Sequence, residues 1–154
     1  MHVSHYKQEL LYSCLPACVR MVLAFYGNQR SESELRTLLK TRPGGTSPAQ
    51  VMLRLPDLGF EAYVMDGSQA ILQNMLSMER PCIVHVLTTP LPHWDQEAIH
   101  ALVVTEITQE HIWVHDPIIE QGPMAIDLGM FLHAWAATDR LMIVIVPIES
   151  TRSK

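Results

Sequence analysis

The stretch "YKQELLYSCLPACVRMVLAFYG", residues 6–27, carries two cysteines four positions apart at the point where an apolar periodicity begins. From Cys14 onward, Leu15, Cys18, Met21, Val22 and Phe25 recur at helical spacing, and Gly27 supplies a terminator, so a helix opens at Cys14 and closes at Tyr26. A thiol is a nucleophile only as its thiolate, and the first turn of a helix favours that state because unpaired N–H groups and the positive end of the dipole point at it. Cys14 holds that place. Cys18 lies one turn further in, beside Met21, Val22 and Phe25, where burial disfavours ionisation. Cys14 is therefore the candidate nucleophile, while Cys18 and Cys82 read as core residues.

Working outward, Ser31 with Glu34 three residues on forms a capping box that opens a second helix through Leu39. Ser47 caps a third, "PAQVMLRLPDLG", with Pro48 at its first position, Gly59 at its end and Pro56 disturbing its last turn. The texture then changes. "FEAYVM" (60–65) alternates like a strand, residues 68–78 form another helix, and "PCIVHVL" (81–87) is a buried strand. "IHALVVTEI" (99–107) and "HIWVHDP" (111–117) are β-rich runs separated by the polar "TQE", a hairpin signature. "DLGMFLHAWAA" (127–137) is a short helix or turn, and "RLMIVIVPI" (140–148) is the closing strand. A helical lobe followed by a mostly antiparallel sheet is an α+β pattern, with a cleft where the two meet. At 154 residues, with no linker or repeat, one domain over 1–154 is expected.

A cysteine nucleophile needs a base to take its proton and return it to the leaving group, and a third group to hold that base. His100 opens the first strand of the hairpin and Asp116 finishes the second, so pairing brings imidazole and carboxylate to the same end of the sheet. His115, the neighbour of Asp116 in a strand, points to the opposite face. Gln8, six positions before Cys14, is the candidate oxyanion donor together with the Cys14 N–H, supplying the electrostatic contribution that often dominates acyl transfer. Trp94, in "LPHWDQEA" just before His100, is placed in the cleft wall.

The opening stretch is similar to the start of the bacteriocin-processing cysteine peptidases, a papain-like family that removes double-glycine leader peptides. The matching segments are "YKQELLYSCLPACVRMVLAFYG", "SESELRTLL", "GGTSPAQVMLRLPDLGFEAYVM", "RPCIVHV", "IHALVV" and "VHDP", in family order from Tyr6 to Val146. The resemblance implies the papain-like α+β fold, Cys14 as nucleophile, His100 as base, Asp116 as orienting acid, Gln8 as oxyanion donor, a thioester intermediate and a preference for Gly-Gly before the scissile bond. It also implies a leader-bearing precursor as substrate and an exporter or regulatory protein as partner. Two departures stand out. Leu15-Pro16 replaces the glycine that follows the nucleophile in the family, so Leu15 is expected to reshape the substrate cleft beside the thiol. The family commonly forms the first domain of an exporting ATPase, and this sequence reads as a stand-alone version. An acyltransferase or deamidase on the same triad, or an inactive peptide-binding module, are the alternatives.

Composition narrows the rest. The hydrophobic fraction of 48% and charged fraction of 18% are those of a folded globular chain. A net charge of −5 with scattered Lys and Arg offers no basic stripe for nucleic acid. Three cysteines suit a reducing compartment with free thiols, and no secretory signal or membrane-length apolar run is visible, so a cytoplasmic location is expected. No Cys-x-x-Cys pair occurs, Cys14 and Cys18 bring at most two ligands onto one helix face, and neither a metal nor a cofactor is expected. "PGGT" (43–46) is read as a turn between helices.

Overall fold

The structure, a computed structural model, describes residues 1–149; residues 150–154 of the expected domain lie outside it. Among the described residues the elements run α1 (Cys14–Phe25), α2 (Glu32–Leu38), α3 (Pro48–Arg54), a 3-10 turn (Leu55–Leu58), β1 (Phe60–Asp66), α4 (Gln69–Ser77), β2 (Cys82–Leu87), β3 (Ile99–Ile107), β4 (His111–His115), β5 (Met124–Asp127), α5 (Leu128–Ala136) and β6 (Leu141–Pro147). The strands form one antiparallel sheet in the order β1-β6-β2-β3-β4-β5.

Local chemistry sets the boundaries. The Ser31 side chain accepts from the Glu34 N–H, Ser47 from Ala49 and Ser68 from Ile71, the short-range bonds that satisfy orphan donors at helix starts. Gly27 follows α1 at φ 86°, a left-handed conformation open to glycine. Pro56 tightens the end of the third helix into the 3-10 turn rather than merely fraying it.

Because the sheet is covered on both sides, its central strands are apolar on both faces. Ile83, Ala101, Val103, Ile143 and Ile145 pack with α1 and its neighbours Leu35, Leu39, Val51 and Leu55. The alternate residues Cys82, Val84, Val86, Leu102, Val104, Met142 and Val144 pack with Leu72, Phe131 and Trp135 from α4 and α5. Cys18 is fully buried in the first cluster and Cys82 in the second.

The hairpin of β3 and β4 forms with Val103 opposite His115 and a register shift between Val104 and Glu106. Its open end therefore carries His100 and Asp116. One strand goes unannounced by the sequence: β5 is only four residues long, follows Gly122-Pro123, ends on Asp127, which also caps α5, and pairs with β4 as an edge. The segment after it is a helix proper, because Asp127 accepts from the Met130 N–H and the buried face of Leu128, Phe131, Ala134 and Trp135 outweighs the cost of Gly129.

Candidate active site

Cys14 begins α1. The Ser13 side chain makes no capping bond; it is exchanged with Leu10 instead, its Oγ accepting from Leu10 N–H at 2.9 Å and donating to Leu10 O at 3.0 Å. No acidic residue lies in the first turn, so its N–H groups and dipole remain available to favour the thiolate. Burial by itself would raise the Cys14 thiol. The hydrogen bond and charge of His100 oppose it, joined by the backbone N–H groups of Ala101 and Leu15, and together they bring it below the ordinary thiol value.

His100 turns Nε2 toward Asp116, 2.7 Å from Oδ1, which leaves Nδ1 for the Cys14 sulfur. Burial would push this imidazole down, but the hydrogen bonds and charges of Asp116 and Cys14 prevail and raise it to about 9. Asp116 is fully buried and still ionised. Burial opposes the charge, and donors to both oxygens overcome it: His100 and the Ile118 N–H at 3.0 Å on Oδ1, His93 Nε2 at 2.7 Å and Trp94 Nε1 at 2.8 Å on Oδ2. The carboxyl is held well below its usual range. Cys18, by contrast, is driven well above the thiol range by burial and by the negative charges of Cys14 and Asp116.

The structure thus brings Cys14, His100 and Asp116 together. Trp94 joins them as well, its ring 4.6 Å from that of His100. Gln8, Cys14, His93, Trp94 and His100 all line one cleft of about 620 Å³, to which the Pro43-Gly44-Gly45 turn also contributes. A hollow of about 720 Å³ beside Tyr26 and Arg80 contains none of them. Gln8 reaches the cleft with its amide already engaged: Nε2 donates to Leu10 O at 2.7 Å and to Leu11 O at 3.2 Å. Turning the amide over would set its oxygen against both carbonyls, so this orientation is fixed by its partners.

Leu15 departs from expectation. Its side chain is 2% exposed and packs in the core below α1 rather than in the cleft, because position 15 falls on the inward face of the helix with Cys18 and Val22. Only its backbone faces the thiol. His93 is the residue that sequence reasoning misses; in a loop, without periodicity, nothing in "LPHWDQEA" distinguishes a histidine aimed at a carboxylate 23 residues away. His115 is turned to His5, with the two Nδ1 atoms 2.9 Å apart. Among the described residues no three His, Cys, Asp or Glu side chains converge as a metal set, and no helix is long and apolar enough to cross a membrane.

Comparison with known proteins gives this geometry a setting. A family model described as the Peptidase C39 family matches residues 2–147. The lactococcin-G-processing and transport ATP-binding protein LagD of Lactococcus lactis subsp. lactis is 27% identical over 122 residues, 79% of this chain and 16% of LagD. The pediocin PA-1 transport/processing ATP-binding protein PedD of Pediococcus acidilactici is 26% identical over 136 residues, 87% of this chain and 17% of PedD. The chain therefore spans about a sixth of the length of these relatives. Among solved structures, the peptidase domain of Streptococcus ComA, a bifunctional ABC transporter involved in quorum sensing, superposes with a TM-score of 0.79 at 25% identity, covering 95% of this chain and 99% of that one. A double-glycine-motif protease from an AMS/PCAT transporter, solved with its leader peptide, has the same fold, with a TM-score of 0.75 at 19% identity over 95% of this chain and 92% of that one.

Proposed function

The chain belongs to the Peptidase C39 family, which makes it a cysteine peptidase, and from that premise we propose that it cuts a peptide after a pair of small residues, Gly-Gly in the first instance, through a covalent thioester on Cys14. The observation that carries the reading is the chain of contacts from the Cys14 sulfur through His100 to the buried Asp116 carboxylate, at a helix start that lines the cleft.

The sequence of events follows from the groups present. The Cys14 thiolate attacks the scissile carbonyl, and the developing oxyanion lies against the Cys14 N–H, whose direction the helix fixes. Gln8 contributes the second donor by exchanging its longer bond, the 3.2 Å one to Leu11 O, for the oxyanion, while the 2.7 Å bond to Leu10 O keeps the amide in place. The imidazolium of His100 protonates the leaving amine, and the neutral ring then activates water to hydrolyse the thioester. Throughout, Asp116 holds the ring by Nε2. LagD and PedD are processing and transport proteins, and the AMS/PCAT protease was solved with a leader peptide, which supports a leader-bearing precursor as the substrate and an exporter as the partner. The three free thiols suit the cytoplasm.

The test is incubation of the purified chain with synthetic precursors containing Gly-Gly, followed by mass spectrometry. Cleavage directly after Gly-Gly is expected, and replacement of that pair by Val-Val abolishes it. A mass shift without chain cleavage, or transfer of the fragment to an added amine in preference to water, would replace the peptidase reading for that substrate with acyl transfer or deamidation.

A further inference from the structure

Asp116 carries two histidines. Beyond the His100 bond on Oδ1, the second oxygen accepts from His93 Nε2 at 2.7 Å and Trp94 Nε1 at 2.8 Å. His93 Nδ1 is buried and has no hydrogen-bond partner among the described residues, so the proton of a neutral ring belongs on Nε2, where the carboxylate accepts it. A carboxylate turns freely about its Cβ–Cγ bond unless both oxygens are tied, and here donors from the loop tie Oδ2 while His100 and the Ile118 N–H tie Oδ1.

We propose that His93 is a positioning residue for the peptidase reaction: together with Trp94 it clamps Oδ2 of Asp116, so that Oδ1 stays in the plane where it can hold His100 against Cys14. His93 touches neither sulfur nor scissile bond; it acts through Asp116. The clamp belongs to the loop of residues 88–98, whose base is closed by Thr88, with its N–H donating to Ala98 O at 2.9 Å and its Oγ1 accepting from Ala98 N–H at 2.8 Å. The same loop forms a wall of the cleft through Asp95, Gln96 and Ala98. A substrate seated on that wall therefore presses on the element that orients the catalytic carboxylate. The titratable groups facing the cluster are Cys14 and Cys18 from α1, His85 from β2 and His93 from the loop.

This inference rests on the peptidase reading, but its test does not need the substrate. The rate of Cys14 alkylation by iodoacetamide is measured against pH in the wild type, in His93→Leu, which removes the donor, and in His93→Gln, which keeps an N–H at the same reach. In His93→Leu the carboxylate turns away, Cys14 loses part of its imidazolium partner, and the acid midpoint moves up by about half a pH unit or more. Its kcat on a cleaved peptide falls on the order of tenfold with KM unchanged, and His93→Gln recovers both readouts. If the leucine variant does not fold, His93→Asn, polar but too short to reach Oδ2, carries the same expectation. A midpoint that stays, or moves down because His93 merely drained charge from Asp116, overturns the clamp, as does a glutamine variant no better than leucine. If the midpoint responds as stated while no peptide is cleaved, the peptidase reading fails and the clamp stands.

Discussion

Nε2 of His100 lies 2.7 Å from Oδ1 of Asp116, and this bond decides which ring nitrogen meets the sulfur. With Nε2 committed, Nδ1 faces Cys14, so a thiol lowered at a helix start meets an imidazole raised beside a buried anion. Both charges of the pair are supported from behind, by the α1 dipole and by Asp116.

One consequence is a split between two pH profiles. His100 loses its proton near pH 9, so proteolysis, which needs an acid for the leaving amine, falls off through about 9. Alkylation of Cys14 needs only the thiolate and persists above it. Removing the carboxylate with Asp116→Ala leaves burial to act on His100 and moves the alkaline limb down by about one unit or more. Stopped assays of both reactions across pH 5–10 read this directly.

Gln8 is already bonded to two carbonyls, and this sets the response to its substitution. If Gln8 is the oxyanion donor proposed above, Gln8→Ala is expected to lower kcat by about 10² with the thiol still alkylated at the normal rate. Gln8→Glu, an isostere, does no better, because its carboxylate would lie against the carbonyls of Leu10 and Leu11 and has no proton to donate. Kinetics of the two variants on one peptide separate loss of the donor from loss of the fold.

His85 is buried in β2, its Nδ1 without a hydrogen-bond partner among the described residues, and is pushed down to about 4 by burial, aided by the charge of His100. Its folded-state value lies below its unfolded one, so the unfolded chain binds the proton first and stability declines as pH falls from about 6.5 toward 4. His100 acts with the opposite sign: its contribution is complete below about 6.5 and is lost as pH rises through about 9. Asp116, being depressed, contributes above the usual carboxylate range and loses its contribution as pH falls below it. Urea unfolding at pH 7 and pH 5 is expected to differ by about 2 kcal/mol on account of His85, and His85→Gln removes that part of the difference.

Gly122 lies where the chain passes the two histidines that secure the N-terminal arm. A Cβ there would stand 2.7 Å from His5 Nδ1 and 2.8 Å from His115 Nδ1, inside contact distance of both. His5 Nε2 donates to Ile119 O at 2.8 Å, and the Gln8 N–H to Pro117 O at 2.7 Å, so this arm is what delivers Gln8 to the cleft. Gly122→Ala is expected to cost about 1–3 kcal/mol in unfolding and to lower kcat through Gln8, measured by thermal melting and by peptide turnover.

Much of this fold and site is legible in the chain of residues itself. The α1 helix and its capped successors announce themselves by period and by Ser31 and Ser47, and the hairpin of β3 and β4 by two β-rich runs around a polar turn, which is enough to set His100 and Asp116 side by side. What escapes such reading depends on tertiary contact. β5 is too short to show alternation and exists because β4 offers it an edge, and His93 acquires its meaning only when its loop folds onto Asp116; the inward turn of Leu15, by contrast, is already written in its helical spacing with Cys18 and Val22. The orientation of the Gln8 amide is likewise decided by carbonyls that a linear sequence does not place.

The central claim is that Cys14, alone of three thiols, is the nucleophile of a peptidase that reads Gly-Gly. The most direct measurement is intact-mass and peptide mapping after treatment with a Gly-Gly peptide bearing a carboxy-terminal vinyl sulfone, alongside cleavage assays of Cys14→Ala. One adduct, mapped to Cys14, with loss of proteolysis and an inactive alanine variant, is the predicted result. Labelling spread over Cys18 and Cys82, or a Cys14→Ala protein that still cleaves, would contradict it.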